Sequence, residues 1–266
     1  MCGTTPDVSS GVRYEVRGAV ATLTLDEPDN RNALGESLVN GLGDNLQRAS
    51  ADESVRAIVL TNTGSTFCAG ADLRGGGTPR WSPTELYQLI LDAPKPVVGR
   101  IAGHCLGGGV GLAAACDISV VSTEARFGFT EVRLGVAPAI ISVIVVPKLR
   151  CADAAELMLT GRRFTAAEAA LLGLVNRAVP ADRLDEQVQG LLEELVAGGP
   201  RAQAEIKALL RRVPALERDA AFAEMSVLSR ELFASDEAAE GIAAFRERRS
   251  AAWVAGGESV AARVHA

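Results

Sequence analysis

The sequence predicts an α/β fold, on three observations. Short apolar runs bounded by polar turns alternate with helix-period segments through the first half. The recurring unit there is strand, strand, helix. The second half is almost wholly helical in pattern.

The elements follow in order. Val12–Val16 and Val20–Leu25 read as a hairpin turning at Arg17-Gly18. Asn32 is placed to cap a helix in which Leu34, Leu38, Leu42 and Leu46 recur at i, i+4 spacing as far as Ala49. Ala57–Thr61 is a short apolar strand, and a Gly/Ser/Thr-rich loop runs from Asn62 to Arg80. Pro83–Leu91 reads as a helix with proline in its first turn. Pro96–Ile101 is a strand, Gly103–Gly109 a glycine-dense turn, and Val110–Cys116 a buried helix of small residues. Ile118–Val121 and Arg126–Phe129 read as further strands. Thr165-Ala-Ala-Glu168 has the capping-box pattern, with Gly173 where that helix would end. Asp182–Ala197 is amphipathic and stops at Gly198-Gly199-Pro200. Arg201–Arg212, Leu216–Phe233 and Asp236–Trp253 complete a helical layer, and Gly256–Ala266 reads as a frayed end. The expected division is a core over residues 1–200 and a helical region over 201–266.

Composition narrows the function. The 266 residues carry a net charge of −6 and only 4% aromatics, with no Lys/Arg cluster. Neither a nucleic-acid surface nor a base-stacking platform is expected. The five cysteines form no CxxC pair and there are two histidines, so no metal site is expected and the thiols read as reduced and cytoplasmic. Met1–Ser10 lacks a basic stretch followed by an apolar one, so no export signal is expected. The longest mostly apolar run, Val136–Val146, is too short to span a bilayer and contains Pro138.

Two glycine-bearing segments carry the chemistry. Phe67-Cys-Ala-Gly-Ala-Asp-Leu73 follows the Ala57–Thr61 strand, and its small residues let a ligand approach the main chain. Gly103-His-Cys-Leu-Gly-Gly-Gly-Val-Gly-Leu112 places bare N–H groups at a helix start, which favours negative charge. The run matches neither GxGxxG nor GxxxxGK[ST]. Alone, each segment fits a tight turn or close helix–strand packing equally well.

Taken together they resemble the crotonase, or enoyl-CoA hydratase/isomerase, family. The matching pieces are Leu60-Thr61 with Phe67–Asp72, Lys95-Pro-Val97, Leu106–Gly109 with Ala114–Asp117, Phe127-Gly128 with Glu131 and Leu134-Gly135, Leu159-Thr-Gly161, Ala170–Val175, and Glu240-Gly241 with Ala244-Phe245. They occur in the expected order over nearly the whole chain.

The resemblance implies a β-β-α spiral domain with a C-terminal helical trimerisation region, assembled as a homotrimer or homohexamer. It also implies an acyl-CoA thioester as substrate, with no separate cofactor. The backbone N–H groups of Ala71 and Gly108 would bind the thioester oxygen, and Glu131 would transfer protons. Ala69, Gly70, Asp72, Leu73, Gly107 and Gly111 would line the substrate site. Arg248, and with less support Arg74, would approach the CoA phosphates.

One departure matters. The family's second catalytic glutamate falls on Gly111, which cannot hold water or move a proton. A bacterial branch described as methylglutaconyl-CoA-type hydratases often has glycine there, and Gly107–Leu112, Glu131–Gly135 and Pro138–Ser142 look like that branch. The expected function is addition of water to a 2-enoyl-CoA thioester with a single glutamate. The alternatives are a Δ3,Δ2-enoyl-CoA isomerase, for which one carboxylate suffices, and a non-catalytic acyl-CoA binder. His104 reads as packing, Cys68 and Cys105 as inert thiols, and Asp117 as structural.

Overall fold

Strand–strand–helix units organise the chain because each unit sends one strand to each of two sheets. The computed structural model describes residues 11–75 and 77–254. Cys2, the reading of residues 1–10 and the frayed end over 256–266 lie outside the described residues.

A hairpin opens the fold. β1 (Val12–Arg17) pairs antiparallel with β2 (Val20–Leu25), turning at Gly18 with φ +56°. Helix α1 (Glu36–Ala51) follows, with Leu38, Leu42 and Leu46 fully buried as the leucine spacing requires. Then come β3 (Ala57–Asn62), β4 (Thr66–Cys68) and α2 (Pro83–Asp92). The next unit is β5 (Val97–Ile101), β6 (His104–Leu106) and α3 (Gly108–Ala115). A third comprises β7 (Ile118–Ser122), β8 (Arg126–Gly128) and α4 (Ala139–Val145). After α5 (Cys151–Thr160), β9 (Arg163–Thr165), α6 (Ala166–Leu171) and β10 (Arg177–Val179), the chain is helical. The last helices are α7 (Leu184–Ala197), α8 (Pro200–Arg212), α9 (Arg218–Phe233) and α10 (Asp236–Glu247).

The larger sheet runs β1-β2-β3-β5-β7-β10, parallel from β2 onward. The smaller runs β4-β6-β8-β9, with β4, β6 and β8 parallel. β3 is buried along its whole length because both faces of its sheet are covered. Ile58 and Leu60 face the main core, while Ala57 and Val59 pack with Leu184, Val188, Leu191 and Leu192 of α7. Among the described residues, no helix is long and apolar enough to cross a membrane.

Several boundaries differ from the sequence reading. β4 lies inside the expected loop and β6 inside the expected glycine turn. Three-residue strands are too short to display a period of two. α3 starts at Gly108, two residues early, because Gly107 at φ +52° turns the chain into the helix without a side-chain cap. Asn32 is not a helix cap, because α1 begins after Gly35. Asn32 is instead fully buried with φ +50°. Its amide donates to Thr66 O at 2.8 Å and Thr63 O at 3.1 Å, and its carbonyl accepts from Glu27 N at 2.8 Å. A buried amide thereby satisfies three main-chain groups.

Thr165 caps α6 by accepting from Glu168 N at 3.0 Å, but the Glu168 carboxylate turns to Arg162, leaving the box half made. The complete box is at α2, where Ser82 N donates to Glu85 and Glu85 N to Ser82 Oγ. α10 stops at Glu247, six residues short of the expected end. Arg248 ends it in the left-handed conformation at φ +53°, and the Trp253 indole then donates to Ala197 O at 3.0 Å.

One buried ion pair ties α8 to the core. Lys207 Nζ lies 2.7 Å from Asp117 Oδ2 and donates to Lys95 O at 2.9 Å. Asp117 also accepts from Val97 N at 2.7 Å, which gives this residue the structural role expected of it. Burial pushes the Asp117 carboxyl up and the Lys207 ammonium down, so desolvation outweighs the attraction for both. Removing one partner strands the other charge, which typically costs about 3–5 kcal/mol. Lys207→Met should therefore lower thermal stability sharply, and adding Asp117→Asn should restore part of the loss. Additive losses in the two single variants and the double variant would show that the pair is not coupled.

Candidate active site

The smaller sheet assembles the site. Cys68 on β4 is opposite Cys105 on β6, and Leu106 on β6 is opposite Gly128 on β8. The segments that leave these three parallel strands at their carboxyl ends therefore emerge side by side. They are 69–71, 107–109 and 129–131. Gly107 N donates to Gly128 O at 3.0 Å, fixing the second segment to the third strand.

Contact between the first two turns requires glycine. A Cβ on Gly109 would lie 2.2 Å from Cys68 O, and one on Gly70 would lie 3.1 Å from Gly108 N. Gly70 and Gly107 also have φ of +89° and +52°. Ala69 N is held by Arg31 O at 3.1 Å, and Leu34 N donates to Gly70 O at 2.7 Å. Among the described residues, no acceptor takes the N–H of Ala71 or of Gly108, and no side chain caps α3. Two free main-chain donors thus lie on turns that touch.

Glu131 completes the cluster. It sits in a 3-10 turn, Thr130–Leu134, that ends at Gly135 with φ +75°. Its Oε1 is 3.2 Å from the place a Gly107 Cβ would occupy. Its Oε2 is buried with no hydrogen-bond partner. Burial raises its pKa above the usual carboxylate range, only partly offset by its own backbone N–H. An unsatisfied, half-buried carboxyl against the glycine turn can accept and return a proton.

Sequence reasoning missed Tyr87. It projects from α2, is 4% exposed, and its O–H donates to Gly108 O at 2.9 Å. Its oxygen lies 2.9 Å from where a Gly111 Cβ would stand, and Ile141 Cγ2 lies 2.4 Å from the same point. Gly111 is buried, and phenol and methyl fill the volume a second glutamate would need. The apolar pattern of α2 marks residue 87 as core, so only the three-dimensional arrangement reveals its polar end.

The other candidates divide. Asp72 structures the turn itself, accepting from Asn30 Nδ2 at 2.8 Å and Arg74 N at 2.9 Å. Those donors hold its carboxyl below the usual range. Arg74 lies 3.6 Å from Asp72, and Leu73 is exposed beside them. Arg248 is exposed at the end of α10, which packs on α9 and caps α8 through Glu237, away from the three site-bearing strands. His104 Nδ1 accepts from Arg126 N at 3.1 Å, so the ring serves the small sheet. Burial pushes the Cys68 thiol up to about 12 and the Cys105 thiol well above the usual thiol range, so neither is a ready nucleophile.

The Glu131 environment has a stability signature. A folded-state pKa above the unfolded one gives stability at low pH that is lost as pH rises through the folded value. Glu131→Gln should thus match the wild type in melting temperature at about pH 4 and exceed it at about pH 8. Equal melting temperatures at both pH values would contradict a raised pKa.

Comparison with known proteins shows the family of the chain. The enoyl-CoA hydratase/isomerase family model matches residues 15–256. A Thermus thermophilus protein provisionally named an enoyl-CoA hydratase is 36% identical over 244 residues, covering 88% of this chain and 96% of that protein. The carnitinyl-CoA dehydratase of Proteus mirabilis is 32% identical over 259 residues, covering 92% and 99%. The crystal structure of an enoyl-CoA hydratase from Mycobacterium smegmatis superposes with a TM-score of 0.84 at 31% identity, covering 91% and 98%. The chain belongs to the enoyl-CoA hydratase/isomerase, or crotonase, family of enzymes.

Proposed function

We propose that this enzyme adds water across the double bond of a 2-enoyl-CoA thioester, using Glu131 as its only carboxylate. The observation that carries the reading is the buried, unpartnered Oε2 of Glu131 beside the touching turns that present Ala71 and Gly108. Relatives named hydratase and carnitinyl-CoA dehydratase support it.

The steps balance on one carboxyl group. The Glu131 carboxylate takes a proton from water as the water oxygen bonds to C3. The C2–C3 π pair moves through the thioester to its oxygen, forming an enolate held by the Ala71 and Gly108 N–H groups. The enolate then re-forms the carbonyl as C2 takes the proton back from Glu131. One oxyanion donor of this kind is typically worth about 2.7–4 kcal/mol. The free N–H groups at the start of α3 add the positive end of that helix. An apolar groove of about 550 Å³ lined by Val132, Val136, Pro138, Ala139 and Met158 adjoins the Glu131 turn and suits an acyl chain.

A second reading is favoured by Gly111. With one carboxyl group, the same site suits a proton shuttle from C2 to C4, as in a Δ3,Δ2-enoyl-CoA isomerase. We also infer self-association through the C-terminal helices, because Phe222, Phe233 and Phe245 are each about 70% or more exposed, at 69%, 74% and 75%. Such an assembly would give Arg248 a route to a neighbour's CoA phosphates. The buried free thiols of Cys68, Cys105 and Cys116 suit the cytoplasm.

The test follows the conjugated thioester absorbance. Loss of conjugation from a 2-enoyl-CoA is the expected result, and Glu131→Gln should slow it by about 10²–10⁴-fold. Gain of conjugation from a 3-enoyl-CoA, without hydration, would replace the leading reading by the isomerase. No turnover of either, with acyl-CoA still bound, would leave a binding protein.

A further inference from the structure

The loss of a second carboxylate leaves a question of geometry, namely what orients the water. Two polar groups approach consecutive residues of the glycine turn. Glu131 Oε1 stands 3.2 Å from the Cβ position of Gly107, and the Tyr87 oxygen stands 3.2 Å from that of Gly108. The Tyr87 oxygen also stands in front of Gly111, 2.9 Å from its Cβ position. The wall that a second glutamate would have supplied is therefore a phenol.

The hydrogen-bond inventory of this pair is incomplete in a matching way. Tyr87 spends its single O–H on Gly108 O at 2.9 Å. Its oxygen keeps acceptor capacity. Glu131 Oε2 is buried and accepts nothing. Two unfilled acceptors on either side of one turn are what the two hydrogens of a single water need, and a water so held keeps a lone pair free to attack.

We propose that Tyr87 anchors the nucleophilic water, accepting one of its hydrogens while Glu131 accepts the other and removes it. The hydrogen bonded to Tyr87 stays with the oxygen that becomes the C3 hydroxyl, so Tyr87 neither gains nor loses a proton. Its O–H bond to Gly108 O fixes the direction of its remaining lone pairs. Burial, and then the neighbouring Cys68 and Glu131 groups, raise the phenol pKa, which keeps it a neutral dipole rather than a second base. The inference rests on the hydratase reading.

The experiment separates water placement from enolate formation. Wild type and Tyr87→Phe are compared in two reactions: hydration of a 2-enoyl-CoA, and exchange of the C2 protons of the matching saturated acyl-CoA in deuterium oxide. Exchange needs Glu131 and the main-chain donors but adds no water. Tyr87→Phe should lower the hydration kcat by about 10–100-fold, the scale set by misplacing one reactant, and change exchange by less than about twofold. Hydration unchanged in Tyr87→Phe overturns the proposal. Exchange falling in step with hydration also overturns it, because Tyr87 would then only position Gly108. Failure of the hydratase reading is distinct: the wild type itself would not hydrate, and the Tyr87 role would fall with it.

Discussion

Contact between two turns is the constraint on which this enzyme depends. Gly109 backs onto Cys68 O so closely that its Cβ would sit 2.2 Å away, and Gly70 reaches the Gly108 nitrogen in the same manner. Any side chain at either point would force β4 and β6 apart. The parallel strands β4, β6 and β8 of the smaller sheet hold that approach, and the main core packs beside them. Preset main-chain donors cost no reorganisation when charge develops, which is why such an arrangement suits an enolate.

The same economy explains what the site leaves unsatisfied. A carboxyl oxygen buried without a partner opposes folding, and the fold around Glu131 compensates elsewhere. The Lys207–Asp117 pair is the opposite case, with every charge answered by a partner and the helix layer pinned as a result. One cluster leaves a carboxyl oxygen without a partner, the other pins the architecture.

Legibility in the sequence followed element length and locality. The α/β class, β3, β5 and β7 show strong patterns, and the structure places these strands within a residue or two of their expected bounds; α1 keeps Leu38, Leu42 and Leu46 but starts at Glu36, which leaves Leu34 outside it. The three-residue strands β4 and β6 were hidden because their glycine-rich surroundings carry no alternation. Asn32 looked like a cap because asparagine favours helix starts, yet its tertiary bonds to Thr63 and Thr66 decide its role. Within the site, motif spacing marks Ala71, Gly108 and Glu131, and these residues follow the carboxyl ends of the neighbouring strands β4, β6 and β8. Tyr87 was invisible because its hydroxyl meets α3 from a helix 21 residues upstream of its acceptor. Arg248, expected to approach the CoA phosphates, lies exposed just after α10, because the helix ends at Glu247 and not at Trp253.

The account stands on a single oxygen being gripped from both turns. A crystal structure with a saturated acyl-CoA bound measures this directly. The thioester oxygen should lie about 2.7–3.1 Å from both the Ala71 and the Gly108 nitrogens, with C2 facing the Glu131 carboxyl. A thioester oxygen touching only one of those nitrogens, or turned toward solvent, would contradict it.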